Sequence, residues 1–251
     1  MSTPATSATP AASTSAAAAI PTTPDMRSFF ESSDVLPCSL RTRVALSLIQ
    51  FPDIPADCAV SDETRDNPFV LVLSGFSAES QERAKTVVSS PEFKDYDIRQ
   101  ISYSPAAKAY ADYAHSLGAD NIQKLYVAIG SLIADIFSRA FGQRQKVIIA
   151  GVSAGGAIAY YIAHYLAASS KALLLQAPAE FRKMKAVMRC RYFAVMWDPA
   201  DPKISFDKCD GVVQQLTNRV DPIVLFDTKY GHAFDPRMLR VAFGEAAARL
   251  G

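Results

Sequence analysis

Lys146-Val-Ile-Ile-Ala-Gly-Val-Ser-Ala-Gly-Gly156 decides how the rest of the chain is read. A short apolar run, Val147 to Ala150, stops at Gly151-Val152-Ser153-Ala154-Gly155, and a helix-like pattern follows from Ala157 to Leu166. A G-x-S-x-G between a buried strand and a helix is the pattern of a nucleophile elbow, a sharp turn that lifts one hydroxyl above the sheet edge. Side chains flanking such a turn collide with neighbouring backbone. Glycine at 151 and 155 removes those collisions, and Gly156 lets the helix sit close. Five residues alone are a modest signal, and the strand-turn-helix context gives them weight.

Outward from this stretch, short apolar runs alternate with longer helical periods. Phe69 to Ser74 reads as a buried strand ended by Gly75, and Ile98 to Tyr103 as a second. Asp120 with Gln123 three residues on suggests a capping box. The helix it opens sets Ile122, Leu125, Ile129, Leu132, Ile133 and Ile136 on one face. Strands follow the elbow at Ala172 to Leu175, Tyr192 to Trp197 and Ile223 to Phe226. Asp235-Pro236 opens the last helix, with Asp as N-cap and Pro in the first turn. Such alternation implies right-handed crossovers, a mostly parallel sheet and helices on its faces. Ligands of these sheets bind beyond the carboxyl ends of the strands.

Four strand ends carry candidate chemistry. Ser153 stands at the elbow, Asp198 and Asp201 follow Trp197, His232 follows Phe226, and Gly75-Phe76 follows Ser74. A serine hydroxyl is a poor nucleophile until an imidazole takes its proton and a carboxylate holds that imidazole's tautomer. Ser153, Asp201 and His232 occur in the chain order that α/β-hydrolase triads use. Asp198 is the alternative acid, or a restraint on the turn before Pro199. Of the other histidines, His164 lies inside the elbow helix and His115 in a surface-like segment. Asp227 ends its strand, and Asp235 reads as a cap.

Over roughly residues 65 to 251 the chain resembles the α/β-hydrolase superfamily. The resemblance rests on Gly151-Val152-Ser153-Ala154-Gly155, on the acid loop Trp197 to Ile204, and on Gly231-His232-Ala233-Phe234. The last tetrapeptide is similar to the histidine loop of dienelactone-hydrolase-type members, which use cysteine where this chain has Ser153. The resemblance implies an oxyanion hole made by the backbone N–H groups of Phe76 and Ala154. Two positions depart from the common pattern. Ser74-Gly75 replaces His-Gly before the oxyanion turn, and Asp198 stands where many members have glycine, three residues before the acid. The link from Gln176 to Arg191, where members with a lid usually insert it, is too short for one.

The expected fold is therefore a single α/β-hydrolase domain over residues 25 to 251, with little or no cap. The expected activity is hydrolysis of small to medium carboxylic esters or thioesters through an acyl-enzyme, with Phe76 and residues near Trp197 and Phe234 as the pocket wall. Peptidase and acyltransferase chemistry share that intermediate, and a non-catalytic scaffold on the same fold is the reading from another class.

The 251 residues are 49% hydrophobic, enough for one large core. Twenty-six Lys and Arg against 25 Asp and Glu form no basic stripe, so no nucleic-acid partner is expected. No apolar run spans a bilayer. Cys38, Cys58, Cys190 and Cys209 have no metal-binding spacing and read as free thiols, so neither metal nor cofactor is expected. The partner is a small-molecule ester or thioester, and the sequence does not set the oligomeric state. Residues 1 to 24 carry no charge, lack the basic start of a secretory signal and the early arginines of a transit peptide, and read as a disordered tail. A cytoplasmic location is the expectation. Deleting residues 1 to 24 is expected to leave the thermal midpoint almost unchanged, whereas a fall of several degrees in a melting curve shows that the segment packs on the domain.

Overall fold

Alternate residues of the central parallel strands, Phe69–Leu73, Lys146–Ser153, Ser170–Pro178 and Tyr192–Trp197, are buried on both faces of one sheet, which is why these strands carry near-continuous apolar runs. The computed structural model describes residues 29–30, 38–50, 68–141, 146–168, 170–184, 188–216 and 223–251. The tail reading for residues 1 to 24 lies outside them. The described chain runs α1 (Cys38–Leu48), β1 (Ile49–Gln50), β2 (Phe69–Leu73), α2 (Ala78–Val88) and β3 (Asp97–Tyr103). It continues through α3 (Pro105–Ser116), α4 (Ala119–Phe141), β4 (Lys146–Ser153), α5 (Ala154–Tyr165), β5 (Ser170–Pro178) and β6 (Tyr192–Trp197). It ends with α6 (Lys208–Leu216), β7 (Ile223–Asp227) and α7 (Pro236–Leu250).

The strand order is β1-β3-β2-β4-β5-β6-β7, with only β1 antiparallel. Leu71, Leu73, Ile149, Leu173, Leu175 and Val195 join one core with residues of α1, α3, α4, α5 and α6. Val70, Val72, Ile148, Ala150, Leu174 and Met196 join the other with α2 and α7. The period of two along each strand assigns neighbours to opposite cores. This is the α/β-hydrolase fold, with no cap domain among the described residues. No described helix is long and apolar enough to cross a membrane. Cys190 and Cys209 are buried.

One helix start differs from the sequence reading. α4 begins at Ala119, and the carbonyl of Gly118 (φ +108°) accepts from Asn121 N and Ile122 N, so Gly118 is the cap. Asp120 sits in the first turn and pairs with Arg182, and Gln123 turns away from the helix end. Its Nε2 donates to Glu180 O at 2.6 Å, and its Oε1 accepts from Tyr161 Oη at 2.8 Å and from Arg182 N at 3.3 Å. The capping box is lost because a buried tertiary network offers the same amide better partners.

That network determines the behaviour of the segment after β5. Tyr160 Oη accepts from Met184 N at 3.0 Å, and Phe181 stacks on Tyr160 with centroids 4.2 Å apart. Burial pushes the Tyr161 phenol up to about 12, so it keeps the proton it donates. The described part of this link is strapped onto α4 and α5 rather than free to act as a cover. From β5, Lys171 is buried with Nζ donating to Ala163 O and Leu166 O, both at 2.8 Å. It satisfies carbonyls that the end of α5 leaves open and places a cation at the negative end of the helix dipole.

Gln123→Ala removes the donor to Glu180 O and the acceptor 2.8 Å from Tyr161 Oη, which keeps only its longer contacts with the Arg182 backbone. It is expected to cost about 1–3 kcal/mol in denaturant unfolding and to speed proteolytic cleavage within residues 179 to 184.

Candidate functional site

Ser153 closes β4 with φ 58° and ψ −129°, a backbone that L-residues rarely adopt. Such a conformation persists only where the surroundings over-determine it. Here a Cβ built on Gly151 runs into the Gly155 carbonyl, and one on Gly155 runs into the backbone of Leu73 and Ser74. On Gly156 it meets Pro178 Cβ at 2.7 Å. The three glycines thus let α5 start immediately after Ser153, pressed against β2 and the end of β5.

The neighbouring strand is irregular at the same level. Val152 pairs with Gln176 but Ser153 with Pro178, leaving Ala177 as an extra residue at φ 37°. This bulge delivers Ala179 N–H to Ser153 O at 2.8 Å. The bonded carbonyl belongs to the Ser153–Ala154 peptide. In a planar trans peptide the N–H points opposite the C=O, so Ala154 N–H is held facing away from the β5 link. On the β2 side, Gly75 N–H is occupied by Ser80 Oγ at 3.0 Å. Phe76 N–H has no acceptor among the described residues.

The acid loop is bound at each turn. Asp198 O accepts from Asp201 N at 2.9 Å, and Trp197 Nε1 donates to Ile204 O at 3.1 Å. Asp201 Oδ1 accepts from Lys203 N at 2.7 Å and from Ile204 N at 3.0 Å, which leaves Oδ2 for His232 Nδ1 at 2.8 Å. The Asp201 side chain has 0% exposure and that of His232 8%. A carboxylate acceptor fixes the proton on Nδ1 and leaves Nε2 as the basic nitrogen. Asp198 accepts from Ala200 N at 2.8 Å and from Gly231 N at 2.6 Å. It therefore ties the residue before His232, a glycine at φ 63°, to the acid loop.

The structure thus joins Asp201 to His232 and gives Asp198 to backbone amides. Among the described residues no hydrogen bond links Ser153 to His232. His115 is exposed, and His164 packs edge-on against Tyr160. Asp235 caps α7, accepting from Arg237 N and Met238 N.

The aromatic side chains around the expected pocket wall are buried. Phe76 (7% exposed), Trp197 (1%) and Phe234 (1%) are packed in the core. Phe76 meets Tyr103 edge-on at 4.8 Å and stacks on Tyr126, and burial pushes both phenols up so that this backing stays uncharged. Between the link after β5 and α6, Pro178, Phe181 and Val212 line a cavity of about 260 Å³. Sequence reading missed it, together with the bulge and the Asp198–Gly231 bond. Only the Asp-x-x-Asp spacing after β6 hinted at the last.

No protein-family model matches the chain, and no curated protein matches it. Solved structures do. YahD, in a structure with malic acid, is 10% identical with a TM-score of 0.50, over 81% of this chain and 98% of its own. Arabidopsis thaliana SOBER1 is 15% identical over 74% and 100%, with a TM-score of 0.48. An α/β serine hydrolase without lid from Xanthomonas campestris is 15% identical over 80% and 87%, with a TM-score of 0.44. At these identities the likeness is one of fold, and the first of the three carries it.

Gly155→Ala is expected to cost about 1–3 kcal/mol or more, because backbone must shift to admit the methyl group. Gly244→Ala, in α7 where a Cβ meets no atom within 4 Å, is expected to stabilise by about 0.5–1 kcal/mol. Melting curves of the two variants should move in opposite directions.

Proposed function

We propose that this protein is a serine hydrolase that cleaves carboxylic esters or thioesters through an acyl-enzyme. The observation that carries the reading is the 2.8 Å bond from His232 Nδ1 to the buried Asp201 carboxylate. It lies at the same edge of the sheet as Ser153, the residue with the strained elbow backbone. Paired imidazole and carboxylate beside an elbow serine supply the parts for acyl transfer.

In this reading Ser153 Oγ attacks the carbonyl carbon while its proton passes to His232 Nε2. Asp201 holds the tautomer and stabilises the imidazolium that forms. The carbonyl oxygen gains charge and accepts from the N–H groups of Ala154 and Phe76. The bond from Ala179 N–H to Ser153 O supports the first donor, because it aims the peptide before the reaction begins. The absence of an acceptor for Phe76 N–H among the described residues supports the second. Preorganised donors of this kind are typically worth roughly 3 kcal/mol each. The tetrahedral adduct collapses, the leaving alcohol or thiol takes the proton from His232 Nε2, and water repeats the sequence to release the acid. Asp198 positions the histidine loop through Gly231 and does not touch the reacting atoms.

Ser153→Ala is expected to abolish labelling by a fluorophosphonate probe and to lower nitrophenyl-ester hydrolysis by about 10⁴–10⁶, with the melting curve kept. A variant that still hydrolyses near the wild-type rate removes Ser153 from the mechanism, and a wild type that neither labels nor hydrolyses points to a scaffold. Asp201→Asn is expected to cost about 10⁴ in kcat through the wrong tautomer, with Asp198→Asn much milder. The reverse order in steady-state kinetics transfers the acid role to Asp198.

A further inference from the structure

We infer that the cavity between the link after β5 and α6 holds the acyl chain of the substrate, and that Gly211 sets the chain length it accepts. This rests on the acyl-enzyme reading above. Pro178, one wall of the cavity, is the register partner of Ser153, and the next residue donates to Ser153 O. The cavity therefore starts one strand spacing from the elbow serine.

Its chemistry defines an aliphatic group. Pro178, Phe181 and Val212 form a buried apolar floor. Glu180, Asp207 and Lys208 stand exposed around the mouth, two carboxylates to one ammonium, which disfavours a chain ending in a carboxylate. At roughly 30 Å³ for a group the size of a water molecule, the cavity of about 260 Å³ takes about eight heavy atoms. The chain class is a neutral acyl group of medium length.

The acyl half of the ester fits better than the alcohol half. The leaving group must take a proton from His232 Nε2 and so lies on the histidine side. No described residue of the loop from Thr228 to Phe234 lines this cavity. Gly211 controls the length because it is the one lining position without a side chain. A Cβ built there meets no heavy atom within 4 Å, so a larger residue has room to enter open space without displacing the fold. Replacing a helical glycine also removes a helix-weakening residue.

The test uses the full chain, a series of p-nitrophenyl esters from acetyl to decanoyl, and a series of acetate esters with growing alcohols. For the wild type, kcat/KM should rise about fourfold per added methylene until the cavity is full, near octanoyl, then level off. Gly211→Leu and Gly211→Phe should leave acetyl hydrolysis within about twofold and cut octanoyl hydrolysis at least tenfold, moving the optimum to shorter chains. Val212→Ala should move it to longer ones. Melting curves should show all three variants folded. An active wild type whose acyl profile is the same in the Gly211 variants overturns the cavity assignment and leaves the acyl-enzyme reading standing. Loss confined to the alcohol series overturns the acyl assignment. A wild type inactive on every ester and unlabelled by the fluorophosphonate overturns the acyl-enzyme reading, and this inference with it.

Discussion

The peptide between Ser153 and Ala154 is held from both ends, and the surrounding architecture depends on that restraint. Its carbonyl is fixed by Ala179 N–H, and the helix that follows is pressed against β2 and β5 by contacts only glycine permits. Relaxing φ at Ser153 requires α5 to move, and α5 is packed against α4, the sheet and the link after β5. The strain is local, whereas the contacts that maintain it are spread over several elements. Such a division lets a single unfavourable backbone survive in a marginally stable molecule.

A comparable economy governs the two carboxylates after β6. Asp198 and Asp201 are buried three residues apart, yet they do different work. Each shares its oxygens between its own turn and the histidine loop. One reaches a backbone amide and the other the imidazole. Buried carboxylates are tolerable only when hydrogen-bonded, and backbone N–H groups supply most of the partners. The histidine loop is thus anchored at two adjacent residues, which fixes both its path and the plane of the ring.

Much of this was legible in the sequence because it follows from local pattern. Strands buried on both faces have no polar interruptions, so Phe69–Leu73 and Tyr192–Trp197 stand out as apolar runs, and the candidate residues lie where those runs stop. What stayed hidden depends on pairings through space. Gln123 has the spacing of a cap, but nothing in its neighbourhood announces that Glu180 O waits for it 57 residues away. Phe76 has the bulk of a pocket wall, yet whether its ring faces open space or the core is decided by helices elsewhere. The Ala177 bulge has no glycine to mark it, since the strain falls on an alanine.

That bulge also sets a parity. In a strand, side chains alternate between faces, and one extra residue inverts the order for all that follows. Had β5 run without Ala177, Pro178 would fall one position out of phase with Ser153. The N–H that now reaches Ser153 O would belong to a different residue or to none. One added residue therefore sets which amide of the chain holds the peptide that follows the elbow serine.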